Sequence, residues 1–269
     1  MPTRARQSDD AADRPWPLVP VLGLITLCWC VLGWPWLSGH VTIPWDAKAH
    51  FLPQIQFMAQ SFWRGESPGW APFVFSGHAQ IADPQSMLFS PPFLALAALS
   101  PNPTSHAVDT TVLLSILAGM FALAIWFRDR NWHWAGAVLA ALSFGFGASM
   151  AWRIQHTGQV LSLVMLAIVL VLLERALTRS SWLLGLCAGV VAAFLVVGRD
   201  QVALLSVYLL IAYVITYWLT GVGAVVGDDR RATQRLRNSF GPLVAGGIAG
   251  ALLIALPILM TALAAAESN

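Results

Sequence analysis

The sequence predicts an all-α protein: a polytopic bundle of transmembrane helices with one long polar loop after the first span. Three observations predict it. Hydrophobic residues fill 57% of the 269 positions and charged residues only 10%, with a mean hydropathy of +0.67. A soluble domain needs a more solvated surface than that. Apolar runs close to the ~20 residues that span a hydrocarbon core recur along the chain. The arginines, finally, cluster in alternate connections between those runs, as the positive-inside rule requires. A net charge of +2 gives no nucleic-acid footprint, so the position of the cations matters more than their sum.

Taken in order, residues 1–16 read as a polar cytoplasmic tail, since Met1 to Arg14 contain no Leu, Ile or Phe. The transmembrane domain then runs over 17–269, with seven candidate spans: Pro17 to Leu37, Ala107 to Phe127, Trp134 to Trp152, Gln159 to Glu174, Trp182 to Gly198, Val202 to Leu219 and Pro242 to Leu263. The first is too long for a signal-peptide core and lacks a following A-x-A site, so it reads as an uncleaved anchor. An eighth apolar stretch, Met87 to Leu99, is short and interrupted by Pro91 and Pro92, and reads as a helix lying in or dipping into the outer interface. Cys28, Cys30 and Cys187 all fall in apolar runs and form no CxxC pair.

Charge fixes the expected orientation. With seven spans and an inside N-terminus, eleven cations lie inside and only Lys48, Arg64, Arg153 and Arg199 lie outside. Counting Met87 to Leu99 as a crossing would invert every later loop and leave five inside against ten outside. The topology is therefore N-in and C-out, with residues 38–106 as one extracytoplasmic loop. Within it, Asp46 to Arg64 reads as an amphipathic, membrane-parallel helix with Phe51, Ile55, Met58 and Phe62 on one face. Gly65, Pro68, Gly69, Pro72 and Gly77 then punctuate an irregular aromatic segment. The stretch Gly221 to Gly227 reads as a cytoplasmic turn before a basic linker.

Chemistry concentrates in this loop. Asp46, in the first turn of the loop helix, suits a general base that takes a proton from an acceptor hydroxyl; the plainer reading is a helix N-cap. Asp83 precedes Pro84 and suits either a turn or a second carboxylate returning toward Asp46. His50 follows Asp46 by one helical turn, and His78 lies near Asp83. Those four are candidate ligands for a divalent cation, carboxylates favouring magnesium or manganese and histidines zinc; histidines hydrogen-bonded to water or head groups are the alternative. Lys48, Arg64, Arg153 and Arg199 are the outer cations available to a phosphate leaving group, although Arg199 and Asp200 sit in one short connection where they can simply pair. Arg153 and His156 form a second polar patch, and Trp70 adds an aromatic surface in the loop.

The run from Trp45 to Pro92 resembles the YfhO-like bacterial membrane proteins and, more loosely, the GT-C superfamily of membrane glycosyltransferases. The matching elements are Asp46, the stretch Gly65-Glu66-Ser67-Pro68-Gly69-Trp70, then Pro72, Gly77 and Asp83, and the pair Pro91-Pro92 leading into apolar sequence. The resemblance implies a multi-pass protein of the bacterial inner membrane that uses a polyprenyl-phosphate-linked sugar as donor and an envelope glycan, lipid or protein as acceptor, in contact with membrane lipid. It also implies that Asp46 is catalytic. Asp83 is expected to support the acceptor or a metal, with Lys48, Arg64, Trp70, His78, Arg153, His156 and Arg199 around the substrates. Ser90 stands where some lipid-sugar transferases carry a Lys before the Pro-Pro pair, so another cation must meet the phosphate. Relatives continue with further helices, so the chain is expected to be the N-terminal portion of a longer protein. The competing expectation is a non-enzymatic multi-span protein, transporter-like or an envelope-assembly partner; transport calls for ionisable groups or broken helices at mid-membrane.

Overall fold

A computed structural model describes residues 16–74, 76–83, 85–197, 200–221 and 231–267. Among these the chain is all-α; the one extended pairing is an isolated bridge between Ala71 and His78. Helix α1 spans Leu18–Leu37. The loop that follows holds a π-helical turn, Ala47–Phe51, running into α2, Leu52–Arg64, and then a 3-10 turn, Met87–Phe89, leading into α3, Pro91–Leu99. Next come α4 (Ser105–Asp129), α5 (Trp134–Phe146), the short α6 (Ala148–Arg153) and α7 (Thr157–Arg179). The chain continues with α8 (Trp182–Val197), α9 (Gln201–Thr220) and α10 (Ala232–Glu267).

Six of these are long and apolar enough to cross a membrane: α1, α4, α5 with α6, α7, α9 and α10. The protein is a multi-pass membrane bundle. Helix α8 is also apolar but has only 16 residues, about 24 Å, less than the ~30 Å hydrocarbon thickness. It nevertheless traverses the bundle. Just before it, the Leu177 carbonyl accepts from the Tyr217 hydroxyl at 3.2 Å; just after it, Asp200 accepts from the Ser162 hydroxyl at 2.9 Å, near the other end of α7. With α8 counted, the described residues pass from end to end seven times.

The two ends differ in construction. At one end the Trp16 indole donates to the Trp132 carbonyl at 2.8 Å, and Asp129 takes two bonds from Arg175 at 2.6 and 3.0 Å. At the other end the first loop folds over the bundle. The Ile43 amide donates to buried Asp109 at 3.0 Å, Gln56 donates to the Pro103 carbonyl at 2.9 Å, and the Trp63 indole donates to the Ala97 carbonyl at 3.0 Å. The Thr261 hydroxyl of α10 reaches the Ala82 carbonyl at 3.3 Å, which brings the last helix to the same end. Helix α3 rises only about 13 Å, under half a hydrocarbon core, in line with the expectation that Met87 to Leu99 does not cross.

Packing explains three departures from the sequence reading. The third span is broken at Gly147, whose extended backbone separates α5 from α6; a Cβ there would stand 2.2 Å from the Ser143 carbonyl oxygen. The basic residues Arg235 and Arg237 before the last span are helical, because α10 begins at Ala232 and buried Arg235 donates to the carbonyls of Trp218 and Leu219, satisfying the C-terminal end of α9; residues 222–230 of the expected turn and linker lie outside the described residues. Along the π-helical turn and α2, Phe51, Ile55 and Met58 are buried against the protein, but Phe62 is 38% exposed beside exposed Trp63. Two aromatics at the rim of the loop fit an interfacial anchor better than a core face.

Candidate functional site

A polar cavity of about 280 Å³ lies at the loop end of the bundle, lined by Asp46, His50, Phe51, Gln85, Met87, His156, Gly158, Gln159 and Asp200. Three separate connections build it: the first loop, the turn between α6 and α7, and the turn between α8 and α9. Their convergence is what an alternating topology produces, because every second connection lies at the same end.

Asp46 is positioned by an unusual piece of backbone. Trp45 adopts a left-handed conformation (φ +56°), rare for a bulky residue, and its carbonyl accepts from the amides of Lys48 and Ala49 at 3.0 and 2.8 Å. The bond from the Ile43 amide to Asp109 holds the segment immediately before it against α4. The Asp46 side chain makes no capping bond, which overturns the N-cap reading. Its Oδ2 lies 3.0 Å from Nδ1 of His156, with Asp46 half exposed (54%) and His156 at 37%. The other carboxylate oxygen has no protein partner among the described residues.

Around this pair, the His50 and Gln54 side chains meet at 3.2 Å, and Arg153 donates to Gln159 at 2.6 Å, which brings a guanidinium beside a residue of the cavity wall. The second carboxylate of the cavity is Asp200, whereas the sequence pointed to Asp83. Asp200 caps α9 through the Ala203 amide at 2.7 Å and also accepts from Ser162. Among the described residues its partners are Ser162 and Ala203; the expected partner Arg199 lies outside the described residues. Asp83 takes the turn role: it accepts from the Gln85 amide at 2.8 Å and meets His78 at 3.2 Å, and neither Asp83 nor His78 lines the cavity.

The remaining candidates lie elsewhere. Lys48 is exposed, one residue beyond buried Ala47. Arg64 pairs with Glu66 at 2.9 Å on the surface. Trp70 lies over Gly77, where a Cβ would come within 2.5 Å of the indole at a φ of +120°, so Gly77 is required by the fold of the loop. The proposed metal set Asp46, His50, His78 and Asp83 does not assemble. Asp46 pairs with His156 and His78 with Asp83, and among the described residues no three His, Cys, Asp or Glu side chains are grouped to hold an ion.

Sequence reasoning missed Gln85, Gln159 and Asp200, which are ordinary in sequence and acquire meaning only by convergence. It also missed a buried polar knot at the opposite end. Glu174, 2% exposed, accepts from Arg130 at 2.8 Å, from the Tyr213 hydroxyl at 2.8 Å and from the Trp126 indole at 2.5 Å, all on one oxygen. Arg130 stacks over the rings of Trp126 and Trp132, 4.5 and 5.2 Å from their centroids. A carboxylate inside an apolar run was the available signal. A larger cavity of about 670 Å³ among α7 to α10 is walled by apolar side chains and glycines, such as Leu173, Val196 and Gly246, and offers no group for chemistry.

No family model matches the chain, and no curated protein or solved structure shows significant similarity to it.

Proposed function

We propose that the chain is a membrane glycosyltransferase that moves a sugar from a polyprenyl-phosphate donor to an acceptor hydroxyl on the extracytoplasmic face of the bacterial cytoplasmic membrane. In this reading the N-terminus is inside, and the first loop and its cavity are outside. The observation that carries it is Asp46: a half-exposed carboxylate with one oxygen unclaimed among the described residues, in the wall of a polar cavity at the loop end of an apolar bundle. Such a group is accessible to an acceptor hydroxyl and can take its proton.

The reaction follows from that placement. Asp46 accepts the proton of the acceptor hydroxyl as its oxygen attacks the anomeric carbon. The bond from that carbon to the phosphate oxygen breaks, its electron pair leaves with the polyprenyl phosphate, and the configuration inverts. Gln85 and Gln159 supply amide donors and acceptors suited to sugar hydroxyls, and Arg153, bonded to Gln159, is the cation at hand for the leaving phosphate. Arg64, paired with Glu66, is left out of this role.

The test is transfer of radiolabelled sugar from a panel of polyprenyl-phosphate hexoses and pentoses, in membranes containing the full chain. Asp46→Asn should remove about 100- to 10,000-fold of the rate at matched protein level. Full activity in that variant would exclude Asp46 as the base. No transfer by the wild type with any donor would turn the reading to a non-enzymatic membrane bundle.

A further inference from the structure

The first turn of a helix leaves amide groups without partners, and a side chain at the N-cap normally satisfies one of them. This chain follows that rule at several helices. Asp200 caps α9 through the Ala203 amide, Thr104 caps α4 through the Ala107 amide at 3.2 Å, and His133 caps α5, its Nδ1 accepting from the Ala135 amide at 3.2 Å. His156 occupies the same position before α7, Asp46 opens the helical turn that follows Trp45, and neither side chain makes a capping bond. They meet each other instead, Nδ1 to Oδ2, at 3.0 Å. Two polar side chains at the starts of two helical elements far apart in sequence thus meet each other and not the backbone of their own first turn. His133 gives the internal comparison: the same residue type, at the same helix position, with the same nitrogen, used locally.

The backbone on both sides is shaped for that contact. Trp45, just before Asp46, is held at φ +56°, and the break at Gly147 starts the short α6 that ends three residues before His156. The His156 amide donates to the Arg153 carbonyl at 2.7 Å, closing the turn that presents the imidazole.

We infer that His156 is a positioning residue for Asp46: its Nδ1–H holds one carboxylate oxygen so that the other is aimed at the acceptor hydroxyl. The sequence suggested a substrate ligand at this position; the geometry assigns it to the base. The role rests on Asp46 being the base, so contact and catalysis are tested separately.

Contact is tested in a cysteine-free background. Asp46→Cys combined with His156→Cys should be joined by a short bis-methanethiosulfonate linker, read by mass spectrometry of the linked peptides. Asp46→Cys with His133→Cys, at the opposite end of the bundle, should not be. Absence of the 46–156 link would overturn the inference whatever the activity.

Catalysis is tested with the otherwise native chain and the same polyprenyl-phosphate donors. His156→Ala should lower kcat about 10- to 100-fold with KM nearly unchanged, because a misaimed base still binds substrate. His156→Asn should restore most of that loss, since the Asn amide nitrogen lies where Nδ1 does. His156→Gln, whose amide mimics Nε2, should not. In an Asp46→Asn background, His156→Ala should add little. A rise in KM with kcat intact, or equal behaviour of the Asn and Gln variants, would make His156 a substrate ligand and overturn the positioning role. Full activity of Asp46→Asn would sink the reading of Asp46 as base, and the positioning role with it, even with the cross-link formed.

Discussion

Asp46 and Glu174 are both carboxylates beside strongly apolar sequence, and the structure uses them in opposite ways. Asp46 is half exposed, paired with a histidine and free of any capping bond. An exposed pair of this kind contributes roughly 0–1 kcal/mol. Neither Asp46→Asn nor Asp46→Ala should therefore cost the ~1 kcal/mol of a lost cap. Thermal unfolding in detergent should place both variants close to the wild type while their transfer activity falls. A large drop in Tm for the Ala variant alone would restore the capping role. Glu174 is buried and gathers Trp126 and Arg130 from the C-terminal end of α4 and Tyr213 from α9. Glu174→Ala strands the Arg130 guanidinium in an apolar bundle, which costs about 3–5 kcal/mol when one partner of a buried pair is removed. Glu174→Gln keeps an acceptor for Tyr213 and Trp126 and should be milder. Yield of folded protein and Tm in detergent check the order wild type, Gln, Ala.

Among the elements, α8 and α10 are the pair whose geometry is most sharply written in small residues. Gly185 and Gly189 on α8 face Pro242 and Gly246 on α10, ascending together, so the two helices run parallel. A Cβ at Gly189 would lie 2.0 Å from the Gly246 carbonyl oxygen, and one at Gly185 would lie 2.2 Å from the Pro242 oxygen. Only backbone stands there, so nothing can give way without moving a helix. Gly189→Leu should therefore pry α8 from α10 and lower Tm, whereas Gly247→Ala, with open space around it, should be neutral or gain up to about 1 kcal/mol of helix propensity. Equal tolerance at the two sites would refute the close packing. The two glycines four apart on each helix were present in the sequence, but nothing there said that these two helices are neighbours. Helix α3 makes a related point: its length alone kept it from crossing, and reporter fusions placed before and after Met87–Leu99 should fall on one side of the membrane.

At the scale of the molecule, the seven end-to-end passages sort the connections into two sets, and the proposed orientation decides which set faces out. Ser67 lies exposed in the first loop and Thr233 exposed near the start of α10, at opposite ends. Ser239, a natural choice for probing the inner side, is fully buried and would not report. In a cysteine-free background, an impermeant thiol reagent on intact cells should label Ser67→Cys and spare Thr233→Cys. The reverse pattern would place the cavity in the cytoplasm and remove the proposed extracytoplasmic acceptor.

The sequence by itself determined the class of fold. The count and length of apolar runs, the short eighth stretch and the arginine spacing are one-dimensional properties, and the bilayer as solvent acts on them directly. It also singled out Asp46 in the first loop, which lines the polar cavity at that end of the bundle. Tertiary structure decided the rest of the site. The partner of Asp46 is His156, about a hundred residues away; the second carboxylate of the cavity is Asp200, and Asp83 closes a turn with His78. Local pattern could not reveal this, because a carboxylate before a helix has the same sequence signature whether it caps that helix or reaches across to another. Only the packing of the bundle, which brings alternate connections to one end, determines which polar groups meet.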